Sequence, residues 1–126
     1  MWIRKGVKLL EEVPGDGAPV ERQQHYLMAM RISLSRGDVI RHPERCLSHQ
    51  LDGNQRTEDD GYFRHRVRVD RESLVGGVFY AVLDMNVGGY RKVRIGPHLA
   101  YGETGIPDII PPNAVLIVEI KVLEKI

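Results

Sequence analysis

Hydrophobic and polar positions alternate along much of this chain. In "YLMAMRISL" the residues Met28, Met30, Ile32 and Leu34 fall on one face. In "RHRVRV" Arg64, Arg66 and Arg68 alternate with His65, Val67 and Val69, and in "RKVRIG" Lys92 and Arg94 alternate with Val93 and Ile95. The last run sets Val118, Ile120 and Val122 against Glu119 and Lys121, then changes phase at Glu124. A period of two with one polar face reads as half-buried strands of an antiparallel sheet. The pattern predicts Met30, Ile32, Val67, Val69, Val93, Ile95, Leu116, Ile120 and Val122 as in-facing, and "WIRKGVKLLEEV" as one further strand. Turn residues in "VPGDG", "VGGY" and "IPDIIPPN" punctuate the runs.

One stretch departs from this period. "SLVGGVFYAVLDM" places Leu74, Val78, Val82 and Met85 near helical spacing, with Ser73 as a candidate N-cap. Gly76 and Gly77 are poor interior helix residues, so the helix is expected from Val75 or later, around Val78 to Leu83. Several antiparallel strands and one short helix imply an α+β packing with the helix over one sheet face. Before the final strand, Tyr101 to Asn113 forms an irregular run rich in glycine and proline. Its isoleucines and tyrosine argue against disorder, leaving either a stiffened surface loop or a functional one.

Composition sets the frame. At 126 residues, 42% hydrophobic and 28% charged, the chain fits one domain with a single small core. Eighteen Lys plus Arg against seventeen Asp plus Glu leave a formal charge of +1, so no global field holds nucleic acid or a membrane surface. The single cysteine, Cys46, makes no intramolecular disulfide, and the N-terminal segment lacks an apolar signal region. A cytoplasmic protein is the expectation. Cys46 and His49, with His42 nearby, fall short of the roughly four ligands of a structural zinc site, so no metal is expected. Nothing in the residues sets an oligomeric state.

The stretch "VGGYRKVRIGPHLAYGETGIPDIIPPNAVLIVEIKVLEKI" resembles the C-terminal third of an FK506-binding-protein-type (FKBP-type) peptidyl-prolyl isomerase. Pro97, Tyr101, Gly102, Gly105, Ile110, Pro111, Pro112 and Asn113 match that family's pattern at the right spacing, and "VPGDG" resembles its early turn. The resemblance implies a strongly curved antiparallel sheet, a half-barrel wrapped around one short helix, over residues 1–126. It implies isomerisation of X-Pro bonds in proline-containing peptides or proteins, without a cofactor. Residues 44–64 then read as a polar loop insertion, because family members cross this region with fewer residues.

Carried over position by position, Tyr101 matches a tyrosine whose hydroxyl donates to a bound carbonyl. Val75 matches a residue whose backbone N–H does the same. Leu74 and Ile110 match apolar walls, and Ile106 matches a loop-tip residue that is commonly bulkier. Val78 stands where the family has a tryptophan, Val118 where it has a phenylalanine, Met30 at a tyrosine and His65 near another aromatic. "SLSRGDVIRHP" places Ile40 at a phenylalanine and Arg41 at an aspartate, unless Asp38, Asp52, Asp59 or Asp60 supplies that carboxylate from a shifted alignment. Losing the indole removes a large part of about 150–250 Å² of contact area. The expectation is a weak isomerase with poor affinity for macrolides; the alternative is a non-catalytic binding or chaperone-like module whose insertion carries recognition.

Overall fold

The computed structural model describes residues 2–35, 37, 56–57, 62–71, 74–107 and 109–126, with Arg56, Thr57 and His65 placed by backbone alone. Ile40, Arg41, His42, Cys46, His49, Ser73, the four alternative aspartates and most of the expected 44–64 insertion lie outside these residues.

Seven strands form one sheet: β1 (Trp2–Arg4), β2 (Val7–Val13), β3 (His25–Leu34), β4 (Arg56–Thr57), β5 (Phe63–Arg68), β6 (Tyr90–Ile95) and β7 (Leu116–Lys125). A single helix, α1 (Gly76–Val82), is described beside them. The strand order is β1-β2-β6-β7-β3-β5-β4, with every pairing antiparallel. The curved sheet with one helix is the architecture expected. All nine predicted in-facing side chains are at most 1% exposed.

Departures from the expected elements have local causes. The first expected strand is two, broken at Lys5 and Gly6, and its second half carries a bulge at Leu10 between the pairs Leu9↔Val93 and Glu11↔Lys92. The change of phase at Glu124 is likewise a bulge. Met28 pairs with Val122 while Leu27 pairs with Glu124, so Leu123 is the extra residue. The span read as a polar insertion holds strand β4 and the beginning of β5, and Phe63 is fully buried opposite Met30. Tyr62 is buried too, with Arg31 and Lys121 at 4.6 and 4.2 Å from its ring centroid.

The helix starts at Gly76 with Val75, not Ser73, at the N-cap position and no side-chain cap. What fixes it is packing rather than capping. A Cβ on Gly77 would lie 2.3 Å from Ile95 Cγ2 on β6, so α1 approaches the sheet more closely than any side chain there permits. Val78, Phe79, Ala81 and Val82 are buried along it. At its far end Arg91, on the inner face of β6, donates from Nη1 to the Ala81 carbonyl at 2.9 Å and pairs with Asp84 and Glu12. Burial pulls the Arg91 guanidinium down, but the hydrogen bonds to Asp84 and Glu12 outweigh it and hold it above its ordinary range.

A second polar cluster covers the outer face. Arg31 Nε donates to Glu119 at 2.5 Å, and the Tyr90 hydroxyl donates to the same carboxylate at 2.9 Å. Burial pushes the Glu119 carboxyl up, yet the hydrogen bonds from Arg31 and Tyr90 prevail and hold it below the usual carboxylate range. Burial, then the bond to Glu119, pushes the Tyr90 phenol above its usual range.

Two outcomes follow from this packing. Gly77→Ala should lower the unfolding free energy by about 1–3 kcal/mol, an overpacking cost. Gly76→Ala should change it by less than about 0.5 kcal/mol, since there the clashing atom is the mobile end of Arg71. Equal denaturant midpoints for the two variants would contradict the close approach. Because Glu119 is depressed in the folded state, its contribution is full above the unfolded carboxylate value of about 4.3 and is lost as pH falls through the lower folded value. Glu119→Gln should therefore flatten the acid limb of stability against pH, and parallel limbs would count against the cluster.

Candidate functional site

Between β6 and β7 the chain folds back on itself. The N–H groups of Ala100 and Gly102 both donate to the Pro97 carbonyl, at 3.0 and 2.9 Å, closing a short 3-10 turn, Pro97–Leu99. Gly105 N–H donates to the Tyr101 carbonyl at 3.0 Å. Ile106 and Ile110 then exchange N–H to carbonyl bonds at 2.9 and 2.8 Å, and Asn113 N–H reaches back to the Gly102 carbonyl at 2.8 Å. This register demands glycine at 105. Its φ is +64°, and a Cβ would stand 2.3 Å from the Ile110 carbonyl oxygen.

The loop is therefore more than a stiffened surface segment. Ile110 is 3% exposed and belongs to the core, while Tyr101, Ile106 and Ile109 pack against that core half-buried. Leu74 just before α1, Val78 in its first turn, and Met30 and Val118 on the inner sheet face belong to the same apolar core. Met30 pairs with Ile120 and Ile32 with Val118, so Met30 and Val118 sit on neighbouring strands one pleat apart. All four side chains, Leu74, Val78, Met30 and Val118, are fully covered.

Val75 stands at the N-cap position of the helix. Its carbonyl accepts from Phe79 at 2.9 Å, and the preceding N–H, of Leu74, donates to the Asp70 carbonyl at 3.1 Å. The Val75 N–H itself donates to no described residue. His65 is placed opposite Met28 by its backbone, and Ile40 and Arg41 fall outside the described residues. Of the expected set, Met30, Leu74, Val78, Ile110 and Val118 are buried members of the one apolar core, Tyr101 and Ile106 pack half-buried against it, and Val75 is buried at the N-cap position of α1.

Two residues that sequence reasoning passed over bear on this region. Phe63 fills the core opposite Met30, and its signal was the alternation Phe63, His65, Val67, which begins before the position taken as the insertion's end. Arg91 shares the parity of Val93 and Ile95, which placed it on the inner face and made it a helix anchor. The groups whose acidity is displaced, Tyr90, Arg91 and Glu119, lie on β6 and β7 in structural pairs rather than beside Tyr101. No group of three or more His, Cys, Asp or Glu among the described residues could hold a metal, and no described helix is long and apolar enough to cross a membrane.

Comparison with known proteins gives the fold a family. Two solved structures share it: AtFKBP13, with TM-score 0.71 and 24% identity over 97% of this chain and 94% of that one, and FkpA from Escherichia coli, with TM-score 0.67 and 21% identity over 97% of this chain and 52% of that one. Among curated sequences, FK506-binding protein 4 of Chaetomium thermophilum is 43% identical over 58 residues, 46% of this chain and 12% of that protein. Peptidyl-prolyl cis-trans isomerase FKBP9 of Mus musculus is 34% identical over 129 residues, covering 91% of this chain and 22% of that protein. The chain spans less than a quarter of the length of these curated relatives. Residues 50–123, well over half of the chain, match the family described as FKBP-type peptidyl-prolyl cis-trans isomerase. That match carries the conclusion: this chain belongs to the FKBP-type peptidyl-prolyl cis-trans isomerase family.

Proposed function

We propose that the domain rotates X-Pro peptide bonds in peptide and protein substrates, slowly and without a cofactor, with the proline seated among Tyr101, Val75 and Ile106. The observations that support this reading are the Tyr101–Asn113 loop, closed by its own backbone bonds with Tyr101 and Ile106 half-buried against the core, and a Val75 N–H at the helix start that has no acceptor among the described residues. The barrier to amide rotation is about 18–20 kcal/mol because resonance is lost on twisting. The twisted amide is less dipolar than the planar one. A water-poor apolar site therefore favours it, while the Tyr101 hydroxyl and the Val75 N–H would hold flanking carbonyls in place. No nucleophile or general base enters such a step.

The low rate follows from the residues that stand where the resemblance expects aromatic ones. Val78 and Val118 offer no exposed surface and no flat ring for a proline to stack on. Arg41, at the position that resemblance assigns to a carboxylate, reverses the local charge. A loss of about 3 kcal/mol in transition-state stabilisation means more than about a hundredfold in rate. The same covered floor supports a second reading, a binding module that grips extended segments without turning them over. We propose a cytoplasmic location for either activity; a single cysteine, Cys46, fits a reducing compartment or indifference to redox.

Line-shape or exchange NMR on a short X-Pro peptide separates the two readings. The expected result is measurable turnover well below that of an efficient isomerase, with shifts centred on Val75, Tyr101 and Ile106. Tyr101→Phe, which removes one hydrogen bond of about 0.5–1.5 kcal/mol, should cost between about twofold and tenfold in turnover. Gly105→Ala should cost at least as much by displacing the loop. Binding without turnover would favour the second reading; shifts clustered elsewhere would remove this site from both.

A further inference from the structure

Away from the loop, the outward side of α1 carries a cluster of arginines held over aromatic rings. Arg4 lies 3.7 Å and Arg71 5.9 Å from the ring centroid of Tyr80, and Arg22 lies 5.4 Å from that of Phe79. All three arginines are exposed. They border two neighbouring hollows. One, of about 270 Å³, is lined by Arg22, Arg68, Asp70 and Arg71 with Phe79. The other, of about 380 Å³, is lined by Arg4, Arg22, Tyr80 and Asp84 with Ile3 and Leu83. Arg22 belongs to both.

The carboxylates in these hollows are already engaged. Asp70 is paired with Arg68, and Asp84 with Arg91. Arg4, Arg22 and Arg71 form no ion pair among the described residues. On a chain whose formal charge is only +1, the described residues here carry a local surplus of three positive charges rather than one patch of a generally basic surface. A guanidinium lying over a ring is oriented while its N–H edge stays available, and that edge fits a carboxylate in a bidentate pair.

We propose that this face binds an extended acidic segment of a partner protein, with one carboxylate in each hollow on either side of Arg22 and an apolar side chain between them against Tyr80 and Leu83. The charge surplus selects the sign of the partner. The two separate hollows select two carboxylates on one chain over a single small anion. The aromatic rings select against single-stranded nucleic acid, because their faces are occupied by guanidinium groups and leave no platform for a base. The face uses no residue of the Pro97–Asn113 region, so a partner held here leaves that loop free.

The test is a titration of the isotope-labelled chain with the peptide acetyl-Glu-Leu-Glu-Leu-Glu-amide, its Gln-for-Glu counterpart and a short single-stranded DNA. The acidic peptide should shift the amides of Arg22, Tyr80 and Leu83, weaken as salt is raised, and lose about tenfold in affinity on Arg22→Ala or Arg71→Ala. Arg94→Ala, an exposed arginine on β6 outside the cluster, should leave binding unchanged. Arg22→Lys, which preserves charge without the planar fork, should recover only part of the loss and guards against a variant that fails to fold. Equal binding of the Gln-for-Glu peptide, affinity insensitive to Arg22 and Arg71, or tighter binding of the DNA through the same arginines would overturn the proposal.

Discussion

Everything in this domain is arranged around the contact between Gly77 and Ile95. A hydrogen in place of a side chain at 77 lets the helix backbone settle directly on β6. With the helix at that depth, Leu74 and Val78 are fully buried and Val75 is buried beside them. Arg91 completes the placement from the other end, bonding a carbonyl in the last turn that has no partner within the helix. A helix of seven residues is too short to be stable by propensity. Its position and its existence are therefore one and the same consequence of packing.

Among the described residues, two ion-pair clusters hold this architecture together. Arg91 with Asp84 and Glu12 ties the helix to two strands, and Arg31 with Glu119 and Tyr90 ties three strands together across the outer face. The loop around Tyr101 is closed by backbone bonds and rests on the core through Ile106, Ile109 and Ile110. That arrangement suits a reaction whose barrier lies in amide resonance, since a fixed, dry enclosure can act on it without any group changing protonation.

Much of this was legible beforehand because it depends on parity. A strand residue on the wrong face would bury a charge or expose a core side chain, so alternation reports burial reliably, and it did so for each in-facing residue from Met30 to Val122. The glycines were harder. Gly76 and Gly77 read locally as weak helix formers, and only the distant Ile95 explains why one of them must be there. The helix cap followed the same logic, passing to Val75, which has no capping side chain. Phe63 was hidden in a span judged by its polar average, which conceals a strand when turn residues precede it directly. The loop before β7 was recognisable from its prolines and glycines by resemblance, whereas its internal bonds, such as Ile106 to Ile110, have no linear signature.

The strand order has a consequence for how the chain reaches this state. β7 lies between β6 and β3, so it alone joins the β1-β2-β6 half of the sheet to the β3-β5-β4 half. A ribosome delivers the chain from its N-terminus, and until residues 116–125 have emerged the two halves share no strand. Each of them meanwhile presents an open edge. Four of the six strand pairings join segments distant in sequence, which delays the gain from each closure and makes assembly slow relative to a helical domain of equal size. The brevity of the outermost strands, three residues in β1 and two in β4, limits what the finished sheet offers to a neighbouring chain. The vulnerable edges belong to the nascent molecule, and the arrival of β7 removes them.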